Sequence, residues 1–243
     1  KTRKIVFDLI RSGCLRDIEH EEGDRGIRKE NKSLINGPDF GGKDNSPVYL
    51  PAKKRYIGRF YVELDDSDWE NLQKNGYICL ILSGLYGFIT PEDTIQNYDC
   101  HLSDRILYRN KESLCNIQNF NSLQDLVINK KVNTLRELWT DVLTEIIKEL
   151  VDRNEVQFIV DILSEENYQN AILWEKIQNV KTLHRVFSKK AGPDILSDLS
   201  MFFKKDIAPC PAGDFLEKFP IGKPIKRDYF DKNAFFSTVN LNK

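Results

Sequence analysis

A long amphipathic stretch from Asn133 to Asn154 is the feature that most constrains how this chain can fold. Its apolar side chains recur every three or four residues, which places them on one face of a helix. These side chains belong to Leu135, Leu138, Trp139, Val142, Ile146, Ile147 and Leu150. One face of this helix is therefore apolar, and Trp139 on that face is expected in the core.

Several apolar runs are typical of strands, and helical segments lie between them. The predicted strands are 3–10 (RKIVFDLI), 77–83 (YICLILS), 156–164 (VQFIVDILS), 179–187 (NVKTLHRVF) and 234–241 (AFFSTVNL). The other predicted helices are a short one capped by Asp66 or Ser67 and ended by Gly76, one over 121–131, one after Ser164, and one with Pro193 in its first turn. Strands that alternate with helices predict an α/β fold.

We expect a single domain over residues 1–243, with a mixed, largely parallel central sheet flanked by helices. Residues 11–46 are charged, rich in glycine and without apolar periodicity, which predicts a long mobile loop. An irregular C-terminal extension is expected from residue 207. No apolar stretch approaches the roughly 20 residues of a membrane helix, so no membrane association is expected.

Composition favours an intracellular protein, and its charge distribution fits either an ordinary mixed surface or one basic face. The five cysteines are scattered and odd in number, which favours reduced thiols and a cytoplasmic location. The three histidines do not cluster, so neither a metal nor another cofactor is expected. Residues 1–59 carry 14 Lys and Arg against 9 Asp and Glu, residues 60–175 carry 9 against 21, and residues 176–243 carry 13 against 7. Basic ends around an acidic middle suit a polyanionic partner if they fold onto one face.

The apolar run that ends at Ser83 leads into a loop with small and aromatic polar residues. In open α/β sheets, ligands bind beyond the carboxyl ends of strands. Glycines there allow close backbone approach, and tyrosines can stack on a base or bind phosphate. The loop residues that carry this prediction are Ser83, Gly84, Tyr86, Gly87, Tyr98 and Asp99. An equally open alternative is that the glycines make a tight turn and the tyrosines pack. Glu92 and Asp93, which follow Pro91, are expected in the first turn of a helix.

A second candidate surface is the run of cations at residues 53–59. Lys53, Lys54, Arg55 and Arg59 surround Tyr56 and Gly58 in this run. Cations bind phosphates and an interleaved aromatic side chain can stack on a base, so the pattern is typical of nucleic-acid contact.

The segment LSGLYGFITPEDTIQNYD (82–99) resembles the YaaA family of peroxide stress proteins, of which this chain would be a divergent member. The segments RYIGRFY, ELWTDVLTEIIKEL, VDILSEENYQNAI and FSKKAGPDILSDLSMFF resemble further family segments in the same order, so that the likeness covers roughly residues 47–205. The chain departs from the family at IVFDLIRSGC, where lysines are missing, and at KKAGP, where an arginine is missing.

The resemblance implies an α/β fold with a basic cleft that binds double-stranded DNA and limits its oxidative damage. Carried over by position, the cleft would contain Arg55, Tyr56, Gly58, Ser83, Gly84, Tyr86, Gly87, Tyr98, Ser164, Tyr168, Lys189 and Lys190. Ser164, like Ser83, stands at a strand end, and two such ends side by side would form an anion pocket.

Two functions from different classes follow. The first is a DNA-binding protein of stress response or genome defence. The second is an enzyme or sensor that acts on a nucleotide or a nucleic-acid base, hydrolase-like or glycosylase-like. Its candidate catalytic residues are Ser83, Tyr86, Tyr98, Asp99 and Ser164. The expected partner is DNA or a nucleotide ligand, with a larger complex as a further alternative.

Overall fold

The computed structural model describes most of the chain. The described residues are 1–16, 28–35, 49–107, 132–154, 156, 158–164, 166–177, 182–187, 195–220, 227 and 235–239, with the backbone alone for 166, 182–187 and 235–239. The α-helices are α1 (Thr2–Arg11), α2 (Ala52–Arg55), α3 (Arg59–Val62), α4 (Asp66–Lys74), α5 (Leu135–Asn154), α6 (Glu166–Gln169), α7 (Leu196–Phe202) and α8 (Phe215–Lys218). The strands are β1 (Leu15–Arg16), β2 (Tyr49–Pro51), β3 (Ile81–Ser83), β4 (Gly87–Ile89), β5 (Thr94–Gln96), β6 (Arg105–Ile106), β7 (Phe158–Asp161), β8 (Thr182–Phe187) and β9 (Phe235–Val239). Glu30–Ser33, Trp174–Lys176 and Ala212–Asp214 form 3₁₀ turns, and Phe203–Ile207 forms a π-helical turn.

The chain divides into two compact units. Unit 1 comprises residues 1–55 and 81–145, and unit 2 comprises residues 56–80 and 146–243. The mixture of helices and strands is confirmed. The single domain stays a prediction.

Unit 1 is built from short antiparallel pairs. β1 pairs with β6, β2 with β5, and β3 with β4. Its core contains the fully buried side chains of Ile5, Leu9, Ile89, Ile95, Leu102, Leu135, Trp139 and Leu143. The prediction that Trp139 is a core residue is confirmed.

Unit 2 contains a three-stranded mixed sheet in the order β7, β8, β9. β7 and β8 are parallel, whereas β8 and β9 are antiparallel. The strands predicted over 156–164, 179–187 and 234–241 are thus confirmed, as is helix α5. A largely parallel central sheet is not shown among the described residues.

The core of unit 2 is rich in aromatic side chains. Trp69, Phe202, Phe203, Phe215 and Phe219 are buried together there. Phe215 and Phe219 lie beyond residue 207, so this part of the predicted extension contributes to the core.

The N-terminal strand prediction was wrong, because residues 2–11 form helix α1. Its buried apolar residues are Ile5, Val6, Leu9 and Ile10. A spacing of four residues between Ile5 and Leu9 places both on one helical face, which decides for a helix.

The continuous strand predicted over 77–83 was also wrong in its extent. Only Ile81–Ser83 forms a strand, and the chain turns back at once into Gly87–Ile89. Gly87 has a φ of 73°, in the left-handed region that glycine enters without steric cost. A hairpin therefore stands where we expected the end of a parallel strand.

Two helix-start predictions need correction. Helix α4 is capped by Asp65 rather than by Asp66 or Ser67, and the Asp65 and Asp68 side chains form a reciprocal capping box. Gly76 follows the helix with a φ of 86°, as expected of a C-terminal stop. Glu92 and Asp93 lie in a turn before β5 and not in a helix, with the Thr90 backbone N–H donating to Asp93 Oδ2 at 2.7 Å.

Two further predicted helix features cannot be placed. The helix over 121–131 and Pro193 lie outside the described residues. Within the segment predicted as a long loop, Leu15–Arg16 forms β1 and Glu30–Ser33 forms a 3₁₀ turn.

Candidate functional site

The strand-end turn, residues Ser83–Gly87, connects β3 to β4 in unit 1. Ser83 is only 1 % exposed. Its Oγ accepts a hydrogen bond from the Tyr86 backbone N–H at 2.9 Å and shares another of 2.6 Å with the Tyr98 hydroxyl. The structure thus brings three of the predicted site residues together, with the Ser83 hydroxyl engaged on both sides.

Tyr86 is held by partners at both its side chain and its backbone. Its hydroxyl accepts from the Gln96 backbone N–H at 3.2 Å, and its carbonyl accepts from Arg3 Nε at 2.7 Å. Its ring lies edge-on to the ring of Tyr98, with 5.7 Å between the centroids. Tyr86 is 5 % exposed, so these contacts lie in the interior of unit 1.

Both glycines of the strand-end turn are required by packing. A methyl carbon at Gly84 would lie 2.6 Å from the backbone oxygen of Cys100, and one at Gly87 would lie 2.8 Å from the Trp139 ring. The Trp139 indole N–H also donates to the Gly84 carbonyl at 2.8 Å. Glycine here therefore allows the turn to pack closely against Cys100 and Trp139.

Asp99 joins the turn region to a segment nearly 70 residues earlier in the chain. Its carbonyl accepts from Arg28 Nη1 at 3.0 Å and from Asn31 Nδ2 at 2.7 Å, while its backbone N–H donates to Asn31 Oδ1 at 2.8 Å. Arg28 also pairs with the fully buried Asp104 at 2.9 Å. Sequence analysis missed Arg28, Asn31 and Asp104, because no local pattern marks side chains that meet across such a separation.

His101 lies at the solvent-facing edge of this network. Its Nε2 is 3.5 Å from Asp99 Oδ1, and its side chain is 53 % exposed. A hydrogen bond to Asp99 raises the pKa of His101 above its ordinary value, and partial burial opposes that rise.

The basic segment, residues 53–59, spans α2 and the start of α3. Lys53 is mostly buried, and its Nζ forms an ion pair of 2.7 Å with Glu92. Burial lowers the pKa of Arg55, and the nearby Tyr86 opposes this effect. Lys54 is exposed. Within unit 1, Lys53 and Arg55 are therefore partly buried against the protein, and Lys54 is the most exposed of the three.

The second half of the basic segment belongs to unit 2 and is open to solvent. Gly58 and Arg59 are exposed, and Ile57 is 82 % exposed. The half-buried Tyr56 ring stacks on Tyr61 at 5.1 Å between centroids. Segment 56–59 thus combines a fixed aromatic ring with an exposed cation.

The remaining predicted site residues fall in unit 2 or outside the described residues. Ser164 and Tyr168 are half-buried in the segment that follows β7. Burial raises the pKa of Tyr61, and the neighbouring Tyr56 and Tyr168 add to the rise, which places these three phenols near one another. Ser164 and Ser83 belong to different units, so the shared anion pocket stays a prediction. Lys189 and Lys190 lie outside the described residues.

No helix in the described part of the chain is both long and apolar enough to span a membrane.

Comparison with curated proteins and with solved structures finds no significant match. The family model for peroxide stress protein YaaA matches residues 27–206, which is well over half of the chain. Both the strand-end turn and the basic segment lie within the matched residues, and the chain belongs to the YaaA family of peroxide stress proteins.

Proposed function

We propose that this protein serves in peroxide stress by binding the phosphate backbone of nucleic acid, DNA in the first place, through its basic segment. The observation that carries the proposal is the exposure of Lys54 and Arg59 on either side of the exposed Ile57 and Gly58. Exposed cations beside an aromatic side chain favour contact with a phosphate backbone.

The two exposed cations suit a polyanion wherever each of them lies. Lys54 belongs to unit 1 and Arg59 to unit 2. Duplex DNA presents one charge per about 1.7 Å of helix axis, so each cation can meet a phosphate independently of the other. Lys53 adds less, because Glu92 already neutralises its charge at 2.7 Å.

The four cysteines that the structure describes favour protection of a partner over consumption of peroxide; Cys115 lies outside the described residues. A thiol reacts with peroxide as its thiolate, which requires a low pKa and access to solvent. Burial raises the pKa of Cys79 to about 12 and that of Cys100 well above its ordinary value. Cys14 and Cys210 are buried, and each thiol donates to a backbone carbonyl. These four thiols are poorly suited to reduce peroxide, which favours a role through binding.

Removal of the two exposed cations should weaken DNA binding and flatten its dependence on salt. In a titration of a labelled duplex between about 50 and 200 mM salt, each lost phosphate contact should reduce the slope of log affinity against log salt by about 0.9. The double variant Lys54→Ala/Arg59→Ala should therefore lose a slope of about 2 and roughly ten- to a hundredfold in affinity at low salt.

A charge-matched variant provides the control. Lys74 and Arg153 are 69 % and 76 % exposed, and each pairs only weakly along its own helix. Lys74→Ala/Arg153→Ala removes the same net charge away from the basic segment and should leave the slope unchanged. An equal loss in both double variants would mean that net charge alone, and not the basic segment, governs binding.

A second proposal is an enzyme or sensor acting on a nucleotide or a base at Ser83, Tyr86 and Tyr98. What favours it is the 2.6 Å hydroxyl pair between Ser83 and the half-buried Tyr98, with Arg55 close to Tyr86. Calorimetric titration with nucleoside mono- and triphosphates, followed by product analysis, tests it. Absence of both binding and turnover would contradict it.

A further inference from the structure

Ile57 is the most exposed large apolar side chain in the described part of the chain, at 82 %. We propose that Ile57 is a wedge that inserts between stacked bases of bound DNA and locally unstacks them. This inference rests on the proposed binding of DNA by the basic segment and adds how the DNA is deformed. Aliphatic side chains inserted at a base step are a known means by which proteins kink a duplex.

The backbone on both sides of Ile57 is anchored within unit 2. Before it, the Tyr56 ring stacks on Tyr61, and Tyr61 in turn lies parallel to the buried Trp69 with 6.4 Å between centroids. After it, the Phe60 ring packs edge-on against a core phenylalanine at 5.7 Å. A wedge must hold its position while it displaces bases, and these aromatic contacts provide that support.

The residue that follows Ile57 is open to solvent. No atom lies within 4 Å of the position that a Cβ at Gly58 would occupy. The Gly58 carbonyl accepts from the backbone N–H groups of Tyr61 at 2.8 Å and Val62 at 3.2 Å, which fixes the start of α3. Ile57 therefore stands on an ordered turn beside an open surface.

Charge and patch size favour DNA as the occupant. The exposed Arg59 lies two residues from Ile57, so that an inserted side chain would be accompanied by a cation able to meet a phosphate. Docking to a protein or insertion into a membrane requires a contiguous apolar surface. Along the chain, Gly58 and Arg59 lie between Ile57 and the next exposed large apolar side chain, Val62, whereas unstacking of one base step needs only one apolar side chain.

A wedge predicts which DNA is bound best. Pyrimidine–purine steps such as TA unstack at low cost, so the protein should bind a duplex with a central TA step more tightly than one built from A-tracts. Ile57→Ala should reduce this preference by about tenfold. An isoleucine side chain inserted between bases is removed from water, and that burial is worth roughly one decade of affinity.

The test uses duplexes with 2-aminopurine, an adenine analogue that brightens on unstacking, at the central TA step. Wild-type protein and Val62→Ala should increase its fluorescence on binding, and Ile57→Ala should not. Val62 is the matched control, because it is an apolar side chain 63 % exposed in the same unit. Both substitutions are at the surface, and circular dichroism should confirm that both variants are folded.

The outcomes separate the wedge from the proposed function. Steep salt dependence with an Ile57-dependent fluorescence increase supports both. Steep salt dependence without a fluorescence change, or with the same change in Ile57→Ala, overturns the wedge and leaves DNA binding in place. An equal loss in Ile57→Ala and Val62→Ala overturns the wedge in favour of a broader apolar contact. No binding of any duplex at about 50 mM salt, where phosphate contacts are strongest, overturns both.

Discussion

The strand-end turn and the basic segment carry similar sequence signals, yet the structure gives them opposite environments. Each contains a glycine within one or two residues of a tyrosine, and each is predicted as a binding site. Ser83, Gly84 and Tyr86 are buried among hydrogen-bond partners, whereas Ile57 and Gly58 face solvent. A glycine close to an aromatic residue can therefore indicate either a closely packed turn or an open one, and the tertiary environment determines which of the two forms.

The difference follows from where each region finds its partners. Polar groups in the strand-end turn are buried, and buried polar groups need hydrogen bonds, which Tyr98, Gln96 and Trp139 supply from elsewhere in unit 1. In the exposed half of the basic segment, the Tyr56 ring stacks on Tyr61 while Ile57, Gly58 and Arg59 are exposed. The first region is buried inside unit 1, whereas the second lies at the surface of unit 2.

Alanine substitutions at Gly84, in the strand-end turn, and at Gly58, in the basic segment, test this contrast most directly. Gly84→Ala should cause the largest loss of stability among the proposed variants. Because the backbone oxygen of Cys100 lies 2.6 Å from the position of a Cβ at Gly84, Gly84→Ala forces main-chain movement. The free energy of unfolding should fall by about 2–3 kcal/mol, as for other overpacked sites. Gly58→Ala meets no atom within 4 Å and has an ordinary φ of −63°, so its effect should stay within about 0.5 kcal/mol.

Urea unfolding of the two variants beside wild type provides the measurement. Equal stability of both variants would show that the strand-end turn is not tightly packed. That result would favour a ligand site at Ser83 over a purely structural role of the strand-end turn.

Removal of the Tyr98 hydroxyl should have an intermediate effect. Tyr98→Phe keeps the ring against Tyr86 and deletes the partner 2.6 Å from Ser83 Oγ. Loss of one partner in a buried pair should cost about 1–2 kcal/mol. Ile57→Ala is the control in the open region and should leave thermal unfolding unchanged. A Tyr98→Phe variant with full stability would indicate that the hydroxyl is held there for a ligand rather than for the fold.

The sequence predicts well those elements whose signal is local and long. Helix α5 has more than five turns with one apolar face, and β7 is a compact apolar run between polar residues. Helix α1 was misassigned because eight residues with five apolar ones fit either period. The spacing of Ile5 and Leu9 becomes decisive only once the buried face is known.

The residues of the strand-end turn were predicted to lie together, and that they form a functional site stays a prediction. Ser83, Tyr86 and Tyr98 do meet, as expected from their place in one motif. Gly87, whose φ of 73° turns the chain into a hairpin, agrees with the alternative prediction that the glycines make a tight turn and the tyrosines pack. No local pattern connects Arg28 with Asp99, since their contact depends on the folding of the whole unit.

The smallest expected effect concerns His101, where the hydrogen-bonded network of the strand-end region reaches solvent. The Asp99 carboxylate raises the pKa of His101 above its ordinary 6.5. A raised pKa in the folded protein means that the charged imidazole stabilises the fold fully below about pH 6.5, and this contribution is lost as pH rises through the folded-state value. Since the side chain is 53 % exposed, solvent screening should limit the contribution to about 0.3–0.5 kcal/mol.

The measurement is the difference in unfolding free energy between wild type and His101→Gln from pH 5.5 to 8.5. Other titrating groups are common to both proteins and cancel in that difference. The difference should be largest at the acid end, shrink towards alkaline pH, and weaken in about 1 M salt, where the screening length is only about 3 Å. Asp99→Asn keeps the carbonyl that binds Arg28 and Asn31 but removes the carboxylate, which makes the largest contribution to the raised pKa of His101, so it should strongly reduce the pH dependence attributed to His101; the nearby Asp104 also raises that pKa. A wild-type advantage that grows with pH would have the wrong sign, and the pairing of His101 with Asp99 would have to be abandoned.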